Sequence, residues 1–239
     1  MSPPRAAPAV IRTLLAAAGL VALGACNIVL TEAPLFSAAD AAGAPALRPG
    51  VWEFFKGSGC QVDERRPFDE WPDCAGGGLV VADNLAGPKS GAPKGTLERS
   101  PYVLAAGDPR IAQLQVNIDT SAGASAEASG DAQVETHSAS AQAKPWGYVG
   151  VRPTRFDSEG RIVALVAWPV LCGPPPPKDA KGEDVALGTL HPFEGMEMKP
   201  GEPFCTTGSV EALRAAAKAS EAYADKPMHE SHWLRDGER

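Results

Sequence analysis

"WGYVGVRPTRF" (residues 146–156) and "RIVALVAWPVLC" (residues 161–172) flank the tetrapeptide Asp157-Ser158-Glu159-Gly160, and this arrangement decides the fold class. Two runs rich in β-branched and aromatic residues, joined by a short turn whose glycine tolerates positive φ, read as a β-hairpin. The second run is apolar at nearly every position, which suits a strand covered on both faces. Pro153 and Pro169 lack an amide donor and therefore belong at an edge, a bulge or a strand end.

The same pattern recurs on the amino-terminal side. "VWEFF" (51–55), "GLVVAD" (78–83), "YVLAA" (102–106) and "RIAQLQVNI" (110–118) are short apolar runs separated by Gly, Pro and Asp. Such punctuation suits strands joined by turns, with Gly107-Asp108-Pro109 as one of them. The expected fold is mainly β, an antiparallel meander forming a barrel or a sandwich. One helix is expected at 209–226, where Ser209 is placed to cap, Glu211 follows early and Pro227 ends the run. Val210, Leu213, Ala217 and Tyr223 fall broadly along one side of it and would pack on the sheet. Residues 120–144, almost wholly Ser, Ala, Gly and small polar groups, read as a flexible insert or long exposed loop, with at most a weak strand near 132–136. "GPPPPKDAKGED" (173–184) reads as a second loop, stiffened by its prolines. No repeat of fixed period is evident.

The amino terminus speaks to location. Arg5 and Arg12 precede the uncharged run "TLLAAAGLVALGA" (13–25), which is shorter than the roughly 20 apolar residues of a membrane-spanning helix and reads as a cleaved export signal. Its end, Leu23-Gly24-Ala25-Cys26, resembles the lipobox of bacterial lipoproteins. The resemblance covers about the first 27 residues and implies that Cys26 carries a diacylglycerol, that cleavage falls just before it, and that the new amino terminus is acylated. Each buried methylene contributes about 0.8 kcal/mol, so several chains on one residue make a stable anchor. In such proteins Asp directly after the cysteine favours retention in the inner membrane; Asn27 stands there instead, which implies the outer membrane, facing the periplasm. Residues 26–50, rich in Ala and Pro, read as the lipidated cysteine and a tether, of which "LTEAPLFSAADAAGAPALRPG" (30–50) alone reaches roughly 70 Å at about 3.3 Å per residue. Leu30, Leu35 and Phe36 are its sizeable apolar groups and would allow partial docking on the domain that spans 51–239.

Charge and cysteine content fit that setting. The chain carries 22 Lys and Arg against 29 Asp and Glu; without Arg5 and Arg12 the mature chain has 20 basic residues and a net charge of −9. This excludes the basic surface that nucleic-acid recognition needs, and adhesion to anionic lipid by charge alone. Beyond Cys26, the four cysteines Cys60, Cys74, Cys172 and Cys205 suit two disulfides in an oxidising compartment. Four cysteines allow three connectivities, and the entropy of loop closure favours Cys60 with Cys74 and Cys172 with Cys205. The spacings are too wide for a zinc knuckle.

Several groups carry candidate chemistry. "VDERRPFDEWPDC" (62–74) gathers Asp69 and Glu70, the weak candidates for a glycosidase acid pair, beside Trp71, a candidate sugar platform and the tryptophan expected to be most exposed. The plainer reading is a disulfide-closed surface loop in which Arg65 and Arg66 neutralise neighbouring acids. In "HESHW" (229–233), His229 and His232 would share a face on a helix and could hold a metal, but the zincin spacing is absent and a tail docked by Trp233 is the plainer reading. No G-x-S-x-G elbow is present, and the glycines of "AGGGLV" (75–80) lead into a strand instead of from a strand into a helix, so they do not match a phosphate loop. The sequence therefore points to a lipid-anchored envelope protein without a cofactor, binding or scaffolding an envelope protein or a cell-wall glycan. The alternatives are a periplasmic glycan hydrolase and a β-barrel carrier lined by the strand at 162–171.

Overall fold

The computed structural model describes residues 27–53, 61–67, 70–72, 78–88, 97–116, 144–175, 191–198, 204–224, 228 and 230–237. Cys26, Cys60, Cys74, Asp69, His229 and nearly all of the expected insert at 120–144 lie outside these residues, as do the disulfide expected between Cys60 and Cys74 and most of the proline-rich loop.

The hairpin forms as its sequence requires. Strands β8 (Trp146–Phe156) and β9 (Ile162–Pro169) pair antiparallel, and Gly160 turns between them at φ +76. The register shifts between Pro153 and Arg155, so Pro153 sits at a bulge, and Pro169 ends its strand. β8 also pairs with β7 (Arg110–Gln115), which pairs with β6 (Tyr102–Ala105), giving a four-stranded antiparallel meander. A second meander runs through β2 (Gly50–Glu53), β3 (Gly78–Val81), β4 (Leu85–Pro88) and β5 (Leu97–Ser100). The carboxy-terminal β12 (Glu230–Arg235) lies between β9 and β2 and joins the two meanders into one sheet. At the other ends, β5 runs into β6 through the single residue Pro101, and no ladder joins them among the described residues. The sheet is thus doubled over on itself without closing as a hydrogen-bonded barrel.

Side chains alternate across this sheet, as the two-residue period of a strand dictates. Trp52, Val81, Leu104, Val151, Ile162 and Leu165 fill the space between its two halves. Ile111, Tyr148 and Ala105 point outward instead and meet the helix α1 (Val210–Ser220) through Leu213, Ala216 and Ala217. The helix begins as expected, with Ser209 Oγ accepting the Ala212 amide at 3.1 Å. It ends earlier than 226, passing into a 3-10 turn at Glu221–Tyr223. The change of winding turns Tyr223 out to solvent, while Leu213 and Ala217 are fully buried. Gly150 lets the sheet and helix come together: a Cβ there would lie 2.4 Å from Trp168 Cε2, and the Trp168 indole donates to the Ala217 carbonyl at 2.8 Å.

The expected tether is part of the fold. Residues 28–31 form β1 (Ile28–Thr31), which pairs with β8 (Leu30 with Gly147, Thr31 with Trp146) and, in parallel, with β11 (Phe204–Thr206). The short β10 (Glu197–Met198) flanks β11 on its far side. Val29, Leu30, Phe36 and Leu47 are buried. Gln113, fully buried on β7, clamps the next stretch of backbone: its Oε1 accepts the amides of Leu35 and Phe36 at 2.7 and 2.8 Å, and its Nε2 donates to the Phe36 carbonyl at 2.9 Å. The Ala/Pro composition suggested an extended spacer because the partners that satisfy this backbone lie from 77 to 176 residues away in sequence.

Candidate functional site

The corner where the chain enters the fold carries the most constrained chemistry. Asn27, directly after Cys26 in sequence, is buried; its carbonyl accepts the Cys172 amide at 2.8 Å and its Nδ2 donates to the Gly173 carbonyl at 3.0 Å. Val29 donates to the Val170 carbonyl at 3.0 Å. β1 is thereby paired both with residues 170–172 and with β11, and these two segments are joined by the Cys172–Cys205 disulfide, with Cα atoms 5.7 Å apart. The pairing expected from the short loop is the one formed. Both sulfur-bearing residues are buried, at 0 % and 1 % exposure, within the cluster that holds Val29, Phe36 and the helix. The cystine is therefore a structural bridge shielded from reductant and is not presented to a substrate.

The loop at 61–72 differs from its sequence reading. Trp71, expected at the surface as a sugar platform, is 5 % exposed and packs with Val51, Val80 and Ala86 on the outer face of β2 and β3. Its indole donates to the Arg66 carbonyl at 3.1 Å. The physical reason is that this face of the sheet would otherwise leave Val51 and Val80 uncovered, and burying an indole there removes apolar surface from water. Glu70 is exposed and pairs with Arg66 at 3.5 Å, the charge neutralisation expected of a surface loop. Asp69 is outside the described residues.

The carboxylates that do converge are different ones. Glu53, at the end of β2, is 3 % exposed; His232 on β12 approaches its Oε2 to 3.2 Å, and the exposed Glu64 completes a group whose ligand atoms lie within 4.8 Å of one another. Arg235 donates to the carbonyls of Glu64 and Arg66 and fastens the loop over the strand. Two carboxylates and one imidazole can hold a divalent cation or, without one, form a buried ion pair. His232 therefore lies in a metal-capable group, but on a strand (230–235) and not on the helix that the His229/His232 spacing supposed; His229 lies outside the described residues. Glu53 was missed because "VWEFF" reads as a plain apolar strand, and nothing local to it foretells the pairing with β12. Trp233, expected to dock the tail, does so as a strand residue: its indole donates to the Pro49 carbonyl at 2.9 Å and Arg48 lies 3.5 Å over its ring.

The interior of the doubled sheet is filled by large side chains, Trp52 and Leu165 among them at 0 % and 2 % exposure. A pocket of about 240 Å³ opens at the edge of this interior, between residues 38–47 and β6, lined by Ala41, Leu47, Asp83, Tyr102 and Leu104. That volume is below the range of about 300–1,000 Å³ common for small-molecule sites. No family model, curated protein or solved structure matches the chain.

Proposed function

We propose that the protein is a lipid-anchored component of the bacterial cell envelope, held in the outer membrane by acylated Cys26 with its domain in the periplasm, where it binds or scaffolds an envelope protein or a cell-wall glycan. The observation that carries this reading is the junction of a lipobox-like sequence with a strand that is buried from its second residue and held beside a disulfide. Disulfides form and persist in oxidising compartments, which agrees with export. The packed interior supports a protein that acts through its surface more than through an enclosed ligand.

In-cell crosslinking of the full-length protein, followed by mass spectrometry of what stays bound after solubilisation, tests it, with Cys26→Ser as the unanchored control. A reproducible envelope protein or glycan that disappears in the control is the expected result. Equal recovery from anchored and unanchored protein would contradict a function exercised at the membrane.

A further inference from the structure

We propose that the domain has no spacer and lies directly on the bilayer, with the corner formed by Asn27, Gly173, Pro174, Pro175, His191 and Pro192 seated on the phospholipid headgroups. This rests on the anchoring reading above and adds an orientation to it.

Covalent geometry sets the first constraint. The Cα of Cys26 is about 3.8 Å from that of Asn27, and Asn27 is already fixed by two hydrogen bonds to the segment around Cys172. Slack could come only from peeling β1 away. Val29 and Leu30, at 1 % and 4 % exposure, would then lose their burial, and the strand would have to leave both disulfide-linked segments at once.

The composition of the corner agrees with contact. Among the described residues that form the corner, Asn27, Gly173, Pro174, Pro175, His191 and Pro192, there is no carboxylate. Pro174, Pro175, His191 and Pro192 are exposed. His191 adjoins the corner through its carbonyl, which lies 2.3 Å from where a Cβ on Gly173 would stand. A neutral face meets an anionic leaflet without the repulsion that the rest of the surface would feel. The turn of the β8–β9 hairpin stands away from this corner. β9 runs eight residues from that turn to Pro169, next to Val170, which bonds Val29 at this corner, so the turn stands about 26 Å away at about 3.3 Å per residue.

The test uses the full-length acylated protein reconstituted in vesicles of phosphatidylethanolamine and phosphatidylglycerol. The photocrosslinker p-benzoylphenylalanine replaces either His191 or Ser158, both exposed, in separate variants. A third protein carries the crosslinker at position 191 and a flexible Gly/Ser insert of some twenty residues between Cys26 and Asn27. Lipid adducts at least tenfold more abundant from position 191 than from 158, falling to the level of 158 with the insert, are expected. Equal adducts from both positions, in protein whose amino-terminal peptide carries acyl chains, would overturn the orientation and leave the anchor standing. Adducts from 191 that persist with the insert would overturn the role of the missing spacer. An amino-terminal peptide without acyl chains would overturn the anchoring reading and the orientation with it.

Discussion

Gln113 and Asp157 show how single polar side chains position backbone that hydrophobic pattern alone does not. Gln113 stands in for a ladder partner, supplying an acceptor to two amides and a donor to one carbonyl of the 35–36 segment. A buried backbone group left unpaired costs about 1–3 kcal/mol. Gln113→Leu, which keeps the volume but removes all three bonds, is expected to lower stability by more than about 2 kcal/mol, measured by urea unfolding. Asp157 organises the hairpin turn, its Oδ1 accepting the amides of Glu159 and Arg161 at 3.0 and 2.9 Å and its Oδ2 the Arg161 Nε at 2.8 Å. Burial works against its charged form, yet the bonds from Arg161 and Glu159 prevail and hold its carboxyl below the ordinary range. Because the folded pKa is the lower one, the stabilisation is complete above the unfolded value and is lost as pH falls through the folded one. Melting temperature followed from about pH 5 to about pH 2 should therefore decline in the wild type, and less steeply in Asp157→Asn.

Among the elements, β8, β9 and α1 were legible because their signals are local and long. Eleven and eight residues of strand-forming sequence around a glycine turn, and a capped run of helix formers, need no knowledge of distant partners. β1, β4, β5 and β12 were not. "LAGP" and "LERS" are four residues each, without a clear alternation, and become strands by pairing with each other and with β3. β1 takes its partners from residues 146–147, 171 and 204–205, so its Ala/Pro-rich context misled where its pairing decides. The contact between sheet and helix has its own test. Gly150→Ala would drive a methyl group into the Trp168 ring and displace the indole from the Ala217 carbonyl. A loss of about 1–3 kcal/mol in unfolding free energy, with a change in tryptophan fluorescence, is expected.

On the scale of the whole molecule, two meanders are joined by the last strand and secured at the entry corner by one cystine. The even count of cysteines made that cystine readable from sequence, whereas the burial of Trp71 and the meeting of Glu53 with His232 were not, because the first depends on the 61–72 loop folding over a sheet face and the second on the pairing of β2 with the distant β12. The bridge closes 33 residues of sequence, and the chain-entropy cost of opening such a loop is about 3–4 kcal/mol. Replacing Cys172 and Cys205 together by serine should lower thermal stability by that order and, since β1 pairs with both linked segments, increase hydrogen exchange at Val29 more than at Ile162 in the core. The central claim, that this fold begins at its membrane anchor, is tested most directly by mass spectrometry of the amino-terminal peptide of the protein purified from its native membrane. A peptide that starts at Cys26 and carries the mass of a diacylglycerol is the predicted result. A peptide that starts elsewhere, or at Cys26 with a free thiol, would contradict it.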